Sequence, residues 1–290
     1  AAEANVLNAK TSGAITATIS TTAIADLDDI AGTGNAYTIT VADTAVTAAA
    51  LNTVNAATTV NVVGTAVTQI TGTAAQLATT YGGGITNLGN ETIVLTDTSL
   101  AASTLTETVD GYSTVAINAN SVTTLTGTNA EILAAYTADS NGTVIIDTDA
   151  KLTVSGTITA AEANVLNAKT SGAITATIST TAIGDLDDIA GTGNAYTITV
   201  ATAQVTAAAL NTVNDATSEL VSATAVTSLT GTSAELITLI SNEGEAGNKV
   251  NLDGDFDVTI SDTPTNAQLT TIDAATTGTI SYGGGGVTVT

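Results

Sequence analysis

The segment AAEANVLNAKTSGAITATIS, which opens at Ala1, recurs from Ala160, a shift of 159 residues. Over the first 58 or so positions only about five differ, among them Ala25 against Gly184 and Ala56 against Asp215. Weaker similarity runs through Thr65-Ala66-Val67-Thr68 against Thr224-Ala225-Val226-Thr227, and on to Leu77 against Leu236. Self-similarity of this kind constrains a fold strongly, because each repeat has to bury its apolar face against a neighbour built like itself. Near-identity over such a span marks tandem duplication. It divides the chain into 1–159, a first long repeat, and 160–290, a second, partial long repeat continuous with the first.

A shorter repeat of roughly 22–30 residues lies inside the long one. Its first half carries the capping-box pattern, Thr-x-x-Glu/Gln before apolar residues. The pattern occurs at Thr73/Gln76, Thr128/Glu131, Thr159/Glu162, Thr232/Glu235 and Thr265/Gln268, and in degenerate form at Thr47-Ala48-Ala49-Ala50-Leu51. In this box the Thr hydroxyl accepts the N3 amide and the Glu or Gln side chain accepts the N-cap amide, so each site predicts a helix start. The helices are expected to be short, about 8–11 residues, and too short to be stable alone. They end at clusters such as Thr11-Ser12-Gly13 and Gly82-Gly83-Gly84. The second half alternates apolar and hydroxyl residues, as in Ala14–Ser20, Tyr37–Val41, Glu91–Thr96 and Asp257–Ser261. Period two with β-branched residues predicts strands with one buried face. A second strand-like piece such as Ala66–Thr71 often leads into the next helix.

One strand and one short helix, repeated about ten to twelve times, predict a repeat solenoid. Its parallel strands stack along an axis with one helix per coil, an α/β or helix-decorated β-solenoid. A doubly wound globular sheet is the alternative, which the short helices and near-identical copies disfavour. The chain does not begin with Met and has no basic n-region leading into an apolar h-region. It reads as processed or as part of something longer. Ala1 falls inside a helix unit and the last residues, Val287–Thr290, read as a strand. Neither resembles a polar capping repeat, so the expectation is missing flanking repeats or copies stacked end to end.

The residue inventory removes whole classes of chemistry. Arg, His, Cys, Met and Trp are absent, and the basic residues are Lys10, Lys151, Lys169 and Lys249. No disulfide, thiolate nucleophile, His-ligated metal or Ser-His-Asp triad can be built. With 4 basic against 27 acidic residues and a net charge of −23, the chain repels nucleic acid and anionic membranes. No stretch is long and apolar enough to span a bilayer as a helix. Hydrophobic residues are 43% but aromatics 2%, so the core is aliphatic and thin rather than deep. An active site built from paired carboxylates is disfavoured, because the main acidic cluster is duplicated and lacks cationic partners; the chain reads as no enzyme. The absence of Cys and Met suits an oxidising exterior.

Asp253, Asp255 and Asp257 are the metal candidates, carboxylates at alternate positions around Gly254 that suit calcium. The Glu required at position 12 of an EF-hand is absent. Asp26, Asp28 and Asp29 recur as Asp185, Asp187 and Asp188 and read first as carboxylates favoured at helix N-termini, second as a metal site. Asp147 and Asp149 flank a strand end and could join a neighbouring coil's site. Thr16, Thr18, Thr38 and Thr40, with Thr175, Thr177, Thr197 and Thr199, put hydroxyls on one strand face. That face is expected from β propensity, and a glycan- or ice-binding ladder is the alternative. Gly32-Thr33-Gly34 lacks the pattern of a phosphate loop, and Asn90 and Asn141 head chance-level glycosylation sequons.

The stretches Leu125-Thr126-Gly127-Thr128-Asn129-Ala130-Glu131, Gly84–Glu91 and Val258-Thr259-Ile260-Ser261-Asp262-Thr263 resemble the Thr/Ala/Asp-rich repeats of very large cell-surface and secreted proteins of marine bacteria, especially cyanobacteria. The resemblance implies an extracellular or cell-surface location and a structural or adhesive role. The glycine-rich calcium nonapeptides that several such proteins carry are missing here. The expected function is a non-catalytic structural protein whose solenoid repeats assemble end to end into a filament, sheath or surface layer. The expected partners are copies of itself, with glycan or surface partners reached through other domains. A rod-like stalk of a giant adhesin is the alternative.

Overall fold

In the first duplicated segment, Ala17 pairs with Tyr37; in the second, Ala176 pairs with Tyr196. Both pairings are parallel, and so is almost all pairing in the chain. The structure is a computed structural model and describes residues 1–282 and 287–289. It is an α/β fold with parallel strands in several sheets and short helices between them. The chain divides into two units, Ala1–Ala150 and Lys151–Thr290.

In the first unit a parallel sheet runs in chain order through Ala45–Thr47, Gln69–Gly72, Thr92–Leu95, Ile117–Ala119 and Val144–Ile146. Parallel pairs are also made by Thr16–Thr18 with Ala36–Thr38, Val62–Val63 with Ile85–Thr86, and Ser99–Ala101 with Thr124–Gly127. In the second unit one parallel row runs through Lys151–Ile158, Ile174–Ile178, Ala195–Thr199, Val221–Ala223 and Val250–Leu252. A second row runs through Gln204–Thr206, Ser228–Gly231, Asp257–Ile260 and Ile280–Tyr282. Val287–Val289, read from sequence as one more strand, turns back antiparallel to Ile280–Tyr282. Thr290 lies outside the described residues.

Register places like on like. Val46, Ile70 and Ile93 stand side by side in one unit, and Val205, Leu229, Val258 and Ile280 in the other, all buried. Burying each such side chain contributes about 1.5–3 kcal/mol. The aliphatic rows do the work for which globular cores of this length often use aromatics. Of the larger rings, Tyr37, Tyr196 and Phe256 are fully buried.

Each of the five expected capping boxes forms, with both reciprocal bonds present. Thr47 and Thr206, whose boxes lack the Glu, still accept the N3 amide. Glycine precedes three of the boxes, and at Gly72 and Gly231 the reason is packing. A Cβ on Gly72 would stand 2.7 Å from the Cβ of Ala48, the first residue of the preceding helix, and one on Gly231 would stand 3.1 Å from that of Ala207.

The second strand-like piece expected at Ala66–Thr71 forms as Gln69–Gly72, ahead of the helix Ala74–Gly82. In the best-formed repeats two short strands precede each helix, as Val221–Ala223 and Ser228–Gly231 precede Ser233–Ser241. A tight turn separates them, closed by the bond from Val226 N–H to the Ala223 carbonyl, with Val226 buried at the corner. Val67 and Val122 turn the same corner against Gly64 and Ala119. The sequence pattern also passes over the one-turn helices Ile24–Leu27 and Ile183–Leu186 and the π-helical turn Thr104–Val109.

Candidate functional site

Two clefts recur at matching places in the two copies. One is lined by Asn5, Thr21, Asp26 and Asp29, the other by Asn164, Thr180, Asp185 and Asp188, beside the first residues of the helices Ala2–Asn8 and Ala160–Asn167. Their volumes are about 350 and 420 Å3. Most of the polar lining is already committed. Asn164 donates from Nδ2 to the Asp188 carbonyl at 2.9 Å and accepts from Ala190 N–H at 2.7 Å. Asn5 makes the same two bonds to Asp29 and Ala31. Thr180 Oγ1 accepts from the Ala160 amide at 3.0 Å, at the start of the helix. The cleft thus pairs a helix N-terminus, which favours anions, with two carboxylates, which repel them. The two fields oppose each other, and the groups between them hold successive segments of the chain together.

The acidic triplets split on folding. Asp26 and Asp185 lie in the first turn of their one-turn helices, as read from sequence, but Asp28 and Asp187 stand at the C-terminal ends. The dipole reading therefore applies to one carboxylate of each triplet. The calcium candidates are separately engaged. Asp257 accepts from the Thr279 hydroxyl and, at 2.8 Å, from its N–H. Those bonds, the hydroxyl's first, hold the Asp257 carboxyl below the ordinary carboxylate range. Asp253 and Asp255 are exposed in the preceding turn, with the intervening Phe256 side chain buried. Among the described residues no group of three or more acidic, His or Cys side chains converges to hold a metal ion.

The threonine faces are exposed but broken. Thr18 stands beside Thr38 and Thr177 between Thr157 and Thr197, while Thr16 stands beside Ala36 and Thr175 between Thr153 and Ala195. Sequence reading passed over a longer hydroxyl row: Thr206, Thr230, Thr259 and Ser281 lie in register across four strands. Their shared place after an apolar residue, Val205, Leu229, Val258 or Ile280, is the signal that could have revealed it.

A polar cluster in the first unit also escaped the sequence reading. Glu91 is fully buried, and its Oε2 accepts from the Tyr81 hydroxyl at 3.0 Å and from Gly89 N–H at 2.7 Å. Tyr81 stacks on Tyr112, with ring centroids 4.6 Å apart. Burial, reinforced by the Glu91 carboxylate, raises the Tyr81 phenol pKa above its ordinary value. Through these bonds Glu91 ties the Tyr81 hydroxyl to the backbone at Gly89, a polar pin within the first unit. Both sequon asparagines, Asn90 and Asn141, are exposed. No helix among the described residues is long and apolar enough to cross a membrane. No family model, curated protein or solved structure matches the chain.

Proposed function

We propose that the chain is a non-catalytic structural protein of the extracellular space or cell surface. In this reading its repeats form a solenoid, and copies assemble end to end into a filament, sheath or surface layer. One observation carries the reading. The near-identical copies 159 residues apart make the same strand pairing, with Ala17 on Tyr37 and Ala176 on Tyr196. A sequence that repeats its own contacts is suited to propagation, because each added unit offers the next the surface on which it was itself built. The inventory supports the same reading. The two recurring clefts hold asparagines already bonded to the chain's own backbone, and Arg and His are missing from the whole chain.

Calcium belongs to this proposal as a bridge between the acidic surfaces of neighbouring copies, which at −23 per chain repel one another. The test is electron microscopy of the purified chain with calcium and then with a chelator. Long ordered fibres are expected, and their loss on chelation would assign calcium a structural role. Separate short rods under both conditions would refute end-to-end assembly and favour the stalk of an adhesin.

A further inference from the structure

The six tyrosines are the most readily oxidised side chains of this sequence, because Cys, Met, Trp and His, which oxidants otherwise take first, are absent. Tyr37, Tyr136 and Tyr196 are buried, while Tyr81, Tyr112 and Tyr282 are half-buried and reach the surface. Of these three, Tyr81 and Tyr112 already lie against each other, with ring centroids 4.6 Å apart and planes 2° from parallel.

The segments that carry the two rings are held in fixed register. Ser113 Oγ donates to the Glu91 carbonyl at 2.6 Å, and Thr114 N–H donates to the Gly89 carbonyl at 2.9 Å. Tyr81 stands near the end of the helix Ala74–Gly82, and Tyr112 closes the turn Asp110–Tyr112. A Cβ added at Gly82 or Gly111 would meet nothing within 4 Å beyond its chain neighbours, which leaves open space beside each tyrosine for the stack to slide edge to edge. The Tyr81 hydroxyl donates to Glu91 Oε2 at 3.0 Å, and Glu91 Oε1 is buried with no partner among the described residues. A proton taken up by this carboxylate removes a buried charge.

We propose that Tyr81 and Tyr112 form an oxidative cross-linking site, joined as dityrosine by a haem peroxidase using hydrogen peroxide, with Glu91 as the proton acceptor. One oxidising equivalent takes an electron from Tyr81 as its hydroxyl proton passes to Glu91 Oε2. A second takes an electron from Tyr112, whose proton goes to water. The two phenoxyl radicals join through a carbon–carbon bond between ring positions ortho to the oxygens. The hydrogen on each of those carbons then moves to its own phenol oxygen, and Glu91 returns its proton to solvent. The pair loses two hydrogens in all, and one hydrogen peroxide is reduced to two waters. The new bond closes a loop from residue 81 to residue 112 and restricts the unfolded chain. The inference does not rest on end-to-end assembly, because the bond forms within one chain.

The test treats the full chain, dilute, with a haem peroxidase and limiting hydrogen peroxide. Dityrosine fluorescence is expected in a product that still runs as a single chain, with a mass lower by two hydrogens and a higher melting temperature. Mass spectrometry of a digest should find the peptide of Tyr81 joined to that of Tyr112. Tyr81→Phe and Tyr112→Phe keep the rings and should each abolish this product, whereas Tyr282→Phe should leave its yield unchanged. Glu91→Gln keeps an acceptor for the hydroxyl but weakens the base, and should slow the reaction at least about tenfold. No cross-link, bonds spread over the other tyrosines, chains joined only to one another, or equal yield from Tyr112→Phe would each overturn the inference. An equal rate in a Glu91→Gln chain whose circular dichroism matches the parent would overturn the proton transfer to Glu91.

Discussion

Tyr37 and Tyr196 occupy matching places in the two copies, and both are fully buried with a hydroxyl that has no partner among the described residues. A buried donor without an acceptor costs about 1–3 kcal/mol, so these rings are held in spite of their hydroxyls. Their backbones are pinned instead by threonines. Thr58 Oγ1 accepts from Tyr37 N–H at 2.9 Å and donates to its carbonyl at 2.7 Å, and Thr217 does the same for Tyr196. Tyr37→Phe and Tyr196→Phe should therefore leave thermal stability unchanged or raise it by about 1 kcal/mol. Burial pushes the Tyr196 phenol up to about 12. With the folded value above the ordinary one of about 10, its contribution is complete below that pH. It is lost as pH rises through the folded value. In Tyr196→Phe that part of the alkaline loss of stability should disappear from a melting-temperature profile.

At the scale of the element, helix starts are satisfied from two directions. The N-cap threonine serves the N3 amide from within, and a side chain on a later segment serves the first amide from outside. Asp97 Oδ2 accepts from Ala74 N–H at 2.8 Å, Asp262 Oδ1 from Ser233 N–H at 2.8 Å, and Asp43 Oδ2 from Ile24 N–H at 2.6 Å. The duplication has already varied one of these positions. Thr202 stands where Asp43 does and accepts from Ile183 N–H at 3.0 Å. Asp43→Thr should accordingly be nearly neutral, and Asp43→Ala should cost about 0.5–2 kcal/mol in chemical denaturation. Acid should expose the same device. The Ser233 N–H, aided by its hydroxyl, holds Asp262 below the ordinary carboxylate range, and the Thr128 N–H and hydroxyl do so for Glu131. Stability from these groups is present above the ordinary carboxylate pKa near 4 and is lost as pH falls through the lower folded values. In Asp262→Asn the fall in melting temperature below about pH 4 should be shallower than in the parent.

At the scale of the whole molecule, 27 acidic residues meet 4 lysines. Self-repulsion destabilises the folded chain, and salt screens it over about 8–10 Å at physiological strength. The melting temperature should therefore rise from 10 mM to 500 mM sodium chloride, measured by circular dichroism. A fold held by surface ion pairs would show the opposite slope. Side chain-to-backbone bonds across repeats hold this one instead, such as Asn52 to the Gln76 carbonyl and Asn211 to the Glu235 carbonyl, each spanning 24 residues. That use explains why Asn and Thr crowd the sequence: short polar side chains can reach the backbone of an adjacent segment without taking up a strand's width.

The sequence by itself determined the helix starts, the alternation of the strands and the duplication. Each is set by neighbours in the chain, through a hydroxyl three residues from its amide or a pleat of period two. It also showed the aspartates at 253, 255 and 257, but not that Thr279 takes the carboxylate of Asp257. A second strand ahead of the helix was legible at Ala66–Thr71, but only the tertiary structure decided the corner that separates the two strands, because that corner depends on where Val67, Val122 and Val226 are buried. It likewise decided that Leu7 is exposed while Leu166, in an identical stretch of sequence, is buried. Local sequence cannot distinguish those two leucines, because the burial of a side chain is a property of what lies against it.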